Sequence, residues 1–189
     1  MNFFVMYAES CIENYIAPSD DLKILLKGCL KSEFQYLDRA PITANVAEDG
    51  GEIFADFLIY GEAVPLVSAR FRQVLDRAGV DNIFYKPITL KCAALGQSES
   101  YFLALPPRID CLKISASIVE VEENEFASDD ELLKEVTKIV IDYNKVGNYK
   151  IFKLPAEFKN QEIIVTEELK KVLEVAGLEN VYFAPLEEM

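Results

Sequence analysis

The alternation of apolar and polar positions is clearest from Val165 to Met189. Thr166 stands at an N-cap position with Glu167 and Glu168 behind it, where carboxylates oppose the positive end of a helix dipole. Leu169, Val172, Leu173 and Ala176 then recur at i, i+3, i+4 and i+7 as one apolar stripe, and Lys170, Lys171 and Glu174 fall on the solvent side. Gly177 supplies a left-handed stop. Val181 to Phe183 reads as a short strand that Pro185 keeps from lengthening.

The same pattern recurs 98 positions earlier, from Val67 to Ile88, and seven of those 22 positions are identical, among them Val74/Val172, Leu75/Leu173, Gly79/Gly177, Asn82/Asn180 and Pro87/Pro185. The offset also aligns Ile53-Phe54 with Ile151-Phe152, and Phe3-Phe4-Val5 with Tyr101-Phe102-Leu103. Two readings follow. Either the chain is one domain of two similar lobes, about 1–95 and 96–189, that arose by duplication, or a common helix-glycine-strand unit occurs twice by chance.

Other elements come from the same rules. Asn2 to Ala8 is continuously apolar, as a strand covered on both faces would be. Ser19 caps an expected helix from Asp20 to about Leu30, and Ile42 to Val46 alternates like an edge strand. A turn at 48–51 precedes a strand from Ile53 to Tyr60, and Ser68 leads into the first helix. Ile88 to Ala94 reads as a strand, Gly96 to Ser100 as the link between halves, and Tyr101 to Leu105 as a strand stopped by Pro106-Pro107. Ile114 to Val121 is β-branched and alternating. Ser128 would cap a brief helix over 129–136, followed by strands at 138–142, Tyr149 to Leu154 and Ile163 to Val165. The expected class is α+β with mixed or antiparallel sheets.

Charge changes this picture. The 189 residues carry a formal net charge of −13. Nucleic acid is therefore a poor partner, and a basic protein is a compatible one. From Glu120 to Glu135 there are eight acids (Glu120, Glu122, Glu123, Glu125, Asp129, Asp130, Glu131, Glu135) and one base, Lys134. The run also holds Phe126 and precedes Tyr143. Such a run is either a solvated loop or a binding segment, in which charge speeds encounter and an aromatic side chain supplies buried area.

Candidate chemistry is sparse. The chain has no histidine, which removes Ser-His-Asp and Cys-His triads, and no Gly-rich phosphate loop. The acidic run lacks the EF-hand spacing, and the scattered Cys11, Cys29, Cys92 and Cys111 read as reduced thiols. No metal or cofactor is expected. Asp56 and Asp110 sit among apolar neighbours that would raise a carboxyl pKa; the alternative is that each caps a turn or pairs with Arg70 or Arg108. The first sixteen residues lack a basic n-region, and no apolar stretch reaches membrane-spanning length, so a cytoplasmic, non-membrane protein is expected.

Four stretches carry a resemblance: A-D-F-L-I-Y-G-E-A-V-P-L-V-S-A-R-F-R-Q-V-L-D-R-A-G-V (Ala55 to Val80), Y-F-L-A-L-P-P-R-I-D-C-L (Tyr101 to Leu112), K-I-F-K-L (Lys150 to Leu154) and I-I-V-T-E-E-L-K-K-V-L-E-V-A-G-L (Ile163 to Leu178). Together they resemble the immunity protein 11 family of bacterial polymorphic toxin systems over roughly residues 50 to 189. Pro106-Pro107 departs from the expected strand-to-turn connection. The resemblance implies a cytoplasmic, non-enzymatic antidote that binds a cognate protein toxin stoichiometrically, and the acidic surface suits a basic, nuclease-type target. Two other classes compete: a module that forms homo-oligomers through exposed sheet edges, and a hydrolase using Asp56 or Asp110.

Overall fold

The computed structural model describes residues 2–9, 14–19, 42–47, 50–60, 64–121, 134–160 and 162–186. In chain order the strands are β1 (Phe3–Tyr7), β2 (Ile42–Asn45), β3 (Phe57–Tyr60), β4 (Val64–Ser68), β5 (Phe84–Cys92), β6 (Gln97–Leu105), β7 (Ile118–Val121), β8 (Lys134–Lys138), β9 (Ile151–Phe152), β10 (Ile163–Thr166) and β11 (Tyr182–Pro185). The helices are α1 (Ala69–Arg77), α2 (Tyr143–Val146) and α3 (Glu167–Ala176). The architecture is α+β.

Both long helices start as their local sequence dictates. The Ser68 hydroxyl accepts from the Phe71 amide at 3.0 Å, and the Thr166 hydroxyl accepts from the Leu169 amide at 3.3 Å. Gly177 ends α3 at φ 58°, and Gly79 follows α1 at φ 72°, a region where a side chain would be strained. Of the expected stripe on α3, Leu169 and Leu173 are buried, whereas Val172 is exposed.

Two sheets pack against these helices, with strand orders β2-β5-β6-β4-β3 and β11-β1-β10-β9. Under the 98-residue offset the second order matches the last four strands of the first. The registers match as well. Phe3 faces Thr166 as Tyr101 faces Ser68, and Phe4 faces Pro185 as Phe102 faces Pro87. Only the outermost pair differs, with Leu66 opposite Leu58 but Ile164 opposite Phe152.

The matching has a consequence for connectivity. In each sheet the strand lying between the two ends of the strand-helix-strand unit comes from the other half: β6 lies between β4 and β5, and β1 between β10 and β11. The halves thus exchange their opening strands. Gly96 to Ser100, expected as a link, instead turns the β5-β6 hairpin and begins β6. Pulling the halves apart would strip a paired strand from each sheet.

Alternation places the core. Val67, Val165, Met6 and Ala104 face inward with Phe71, Leu75, Leu169 and Leu173 of the helices, forming one cluster shared by both halves. Their neighbours Leu66, Leu103 and Ile88 point the other way, onto Ile16, Ala44 and Ala55. In the second sheet Val5 and Ile164, with Leu186 just past the end of β11, pack outward onto Leu112, Val136 and Ile141. Sheets covered on both faces explain the unbroken apolar runs of β1 and β10.

Several expected elements differ. The helix from Asp20 to Leu30 lies outside the described residues. Lys134 to Val136, expected at the end of a helix, belong to β8, whose alternation pairs with β7. Ile114 to Ala116 form a turn, so β7 begins only at Ile118. Pro185 is the last residue of β11, as expected, whereas the equivalent Pro87 lies inside β5 without ending it. Pro185 lies on an edge strand, and Pro87 precedes the stretch of β5 that pairs with β2.

Candidate functional site

The two carboxylates singled out from sequence have opposite environments. Asp56, 9% exposed, accepts from the Ser68 hydroxyl at 2.6 Å, from Arg70 Nη1 at 2.7 Å and from the Glu179 amide at 3.0 Å. Arg70 continues to the Ala176 and Gly177 carbonyls at 2.7 and 3.1 Å, neutralising the negative C-terminal end of α3. The Asp56 carboxylate therefore serves as a clasp between halves. Asp110 is exposed and meets Lys145 at 3.2 Å, rather than the Arg108 expected from sequence. The two acids share no partner among these contacts.

The second half has its own clasp with the charges rearranged. Lys150 donates to the Ala78 carbonyl at the end of α1 at 2.9 Å and pairs with Glu168 at 2.7 Å. Glu168 occupies the place of Arg70 under the offset. Cation and aromatic contacts repeat too: Arg72 lies 4.7 Å from the rings of Tyr85 and Phe102, and the equivalent Lys170 lies 4.9 Å from Phe4 and 5.8 Å from Phe183. The aromatics on these short strands are accordingly packing groups. Burial pushes the Tyr85 hydroxyl up to about 12.

The third polar cluster is internal. Lys153 is 5% exposed, and burial, with help from Arg108, lowers its ammonium to about 7, against a smaller opposing effect of Glu162. Arg108 donates to the Leu154 carbonyl at 2.9 Å. Cys111 is fully buried, and burial pushes its thiol up to about 12, so it is a poor nucleophile. Among the described residues no group of three or more His, Cys, Asp or Glu side chains converges as a metal site. No helix among them is long and apolar enough to cross a membrane.

The acidic run joins β7 to β8, an antiparallel pair outside both main sheets. Of the residues expected to bind a partner, Glu120 is described; Glu122, Glu123, Glu125, Phe126, Asp129, Asp130 and Glu131 lie outside the described residues. Glu120 stands directly opposite Glu135, and both are exposed. Like charges in that position oppose strand pairing. The Thr137 hydroxyl donates weakly to Glu120 at 3.4 Å. Ile118, at the start of β7, is 52% exposed, and Ile114, in the preceding turn, is 61% exposed.

Beside this hairpin is an open groove of about 720 Å³. Its apolar wall comes from Phe3, Phe4, Ile139 and Leu186, and Lys113, Asp142, Tyr143 and Asn144 form much of its polar rim. Tyr143 is 54% exposed and stacks on Phe3 with centroids 5.4 Å apart. Asp142 accepts from the Asn144 amide at 3.1 Å and so starts α2. The groove is tied to the hairpin by the backbone: the Lys113 amide donates to the Val140 carbonyl at 2.8 Å, and the Val140 amide to the Ser117 hydroxyl at 3.1 Å. Sequence reasoning named Tyr143 as an aromatic near the acids. It missed the groove, whose walls come from both ends of the chain and its middle.

Outside this exchanged-strand scaffold lies the β7-β8 pair, with Glu120 and Glu135 exposed. The chain belongs to the immunity protein family (Imm11), which it matches over residues 12–188. The family thus takes in the segment before residue 50, which the sequence resemblance had left out. No curated protein matches the chain. Membership supports the role of an immunity protein, an inhibitor that binds a toxin.

Proposed function

We propose that the chain neutralises its cognate toxin domain by stoichiometric occlusion, and that the toxin presents a basic surface of the kind a nuclease uses for phosphates. The observation that carries this reading is the opposed Glu120/Glu135 pair at the base of a segment whose sixteen residues hold eight acids and one base. Like charges facing each other across a strand pair do nothing for folding. Their repulsion is relieved when cations of a partner come between them, so folding stability is given up for recognition. Charge of this density also steers a basic partner during diffusion.

The same reasoning gives a domain organisation. One domain built from two copies that exchanged their opening strands accounts for the shared registers and the paired clasps. A rigid, interlocked scaffold suits occlusion, because a pre-organised surface loses little conformational entropy on binding.

The test is binding of the purified chain to the toxin domain encoded beside it, measured across ionic strength. Affinity should fall by about tenfold or more between about 0.05 and about 0.5 M salt. An affinity indifferent to salt contradicts the basic-target reading.

A further inference from the structure

We propose that the outward face of the β7-β8 pair, formed by Ile118, Glu120, Glu135 and Thr137, seats one arginine of the toxin together with an apolar neighbour. This assignment rests on the toxin-binding reading above and adds which side chains make the contact and which cation they select.

The face stands on a held platform. Val119 and Val136 turn inward onto the core of the second sheet. The outer edge of β8 is closed by residues 157–160: the Lys134 amide donates to the Glu157 carbonyl at 3.3 Å, and the Lys159 amide to the Lys134 carbonyl at 2.8 Å. Asn160 then stands in for a strand residue, accepting from the Val136 amide at 2.7 Å and donating to the Val136 carbonyl at 3.1 Å. Alternation sends Ile118, Glu120, Glu135 and Thr137 to the opposite side, where all four are exposed.

Two properties of that side select its occupant. The first is apolar area. Ile118 is 52% exposed, and Ile114, 61% exposed, is kept within one turn of it by the Ala116 and Ser117 amides, which donate to the Lys113 carbonyl at 2.9 and 3.0 Å. Folding leaves this area in water, and a docked side chain removes it. The second is charge. Among the described residues neither Glu120 nor Glu135 has an ion-pair partner. Opposed residues of an antiparallel pair hold their Cβ atoms about 4.5–5.5 Å apart, so the two carboxylates flank a single cation. A guanidinium offers five donors in a planar fork and is weakly hydrated, so it bridges both acids while lying against isoleucine. An ammonium is a compact, strongly hydrated charge that gives up more water there. Lys138, exposed across from Ile118, sets a positive charge at the other end and so directs the arginine to the Glu120/Glu135 end. A second copy of the chain is the wrong occupant, since it brings a further −13 to an acidic surface.

The experiment measures binding of wild type, Ile118→Ser and Glu135→Gln to the toxin domain encoded by the adjacent reading frame. Glu99→Gln, on an exposed part of β6, is the charge-matched control. Thermal melts accompany each variant, and toxin arginines and lysines are mapped by dicarbonyl modification and acetylation, free and in the complex. The expected result is a loss of about tenfold or more in affinity for both face variants, none for the control, and one toxin arginine protected by the wild type. Glu135→Gln should melt no lower than wild type, because it relieves a like-charge pair. A fall in its melting temperature marks a structural acid and overturns the inference. Wild-type affinity in either face variant, or protection of lysines and no arginine, also overturns it and leaves toxin binding intact. No binding by the wild type overturns the proposed function and this inference with it. A wild-type dimer that Ile118→Ser converts to monomer overturns it too, because a second copy would then cover the face.

Discussion

Replacing Asp56 by Ala removes the acceptor of three hydrogen bonds at once. The Ser68 hydroxyl and the partly buried Glu179 amide each lose a bond worth about 1 kcal/mol. Arg70 is 56% exposed and keeps two carbonyl acceptors, so water replaces much of its ion pair and the loss there is under about 1 kcal/mol. The expected total is about 2–3 kcal/mol, or a fall in Tm of about 4–12 °C for a chain of this size. Asp110→Ala breaks only an exposed pair and should cost less than about 0.5 kcal/mol. Urea unfolding followed by circular dichroism measures both. A stability for Asp56→Ala within about 0.5 kcal/mol of wild type, or an equal loss for Asp110→Ala, would refute the argument that Asp56 holds the halves together.

Further expectations follow from single sites. Lys153 titrates near 7 in the folded chain and near 10.5 when exposed, so between those values the unfolded chain binds the extra proton and stability rises with pH. From about pH 7 to about pH 9 the gain should be on the order of 2 kcal/mol, before unfolded-state cysteine ionisation opposes it; Lys153→Met should flatten that slope, and an unchanged slope counts against the assignment. Asn180, buried at φ 63°, accepts from the Glu9 amide and donates to the Glu9 and Phe57 carbonyls. Asn180→Ala should therefore cost about 2–3 kcal/mol in the same unfolding assay. In a C11S/C29S background, Cys92 and Cys111 should react with a thiol reagent only at the rate of unfolding, and prompt labelling would contradict their burial.

What sequence made legible was local. Helix starts at Ser68 and Thr166 and the stop at Gly177 depend on groups within four residues of one another, and the structure has all three. The 98-residue repeat also anticipated the matched strands. Which half each strand joins was not legible, because pairing is non-local and β1 satisfies the apolar pattern equally well in either sheet. Gly96 to Ser100 read as a linker for a related reason: its polar residues are exposed because the hairpin end projects into water. At Lys134 to Val136 the upstream Ser128-Asp129-Asp130 cap signal competed with alternation, and pairing to β7 decided for strand. Asp56 and Asp110 looked alike in sequence, and only tertiary burial separates a clasp from a surface acid. The groove had no local signature, since its walls come from residues 2–4, 113, 139–144 and 185–186.

The central claim is inhibition by binding, one chain to one toxin. Titrating the purified chain into a fixed, high concentration of its toxin domain, while following toxin activity, tests that claim directly. A linear decline reaching zero at a 1:1 ratio, with the toxin recovered intact after denaturing the complex, is the predicted result. Complete loss of activity at a small fraction of an equivalent, or a toxin left chemically altered, would mean that the chain acts by turnover.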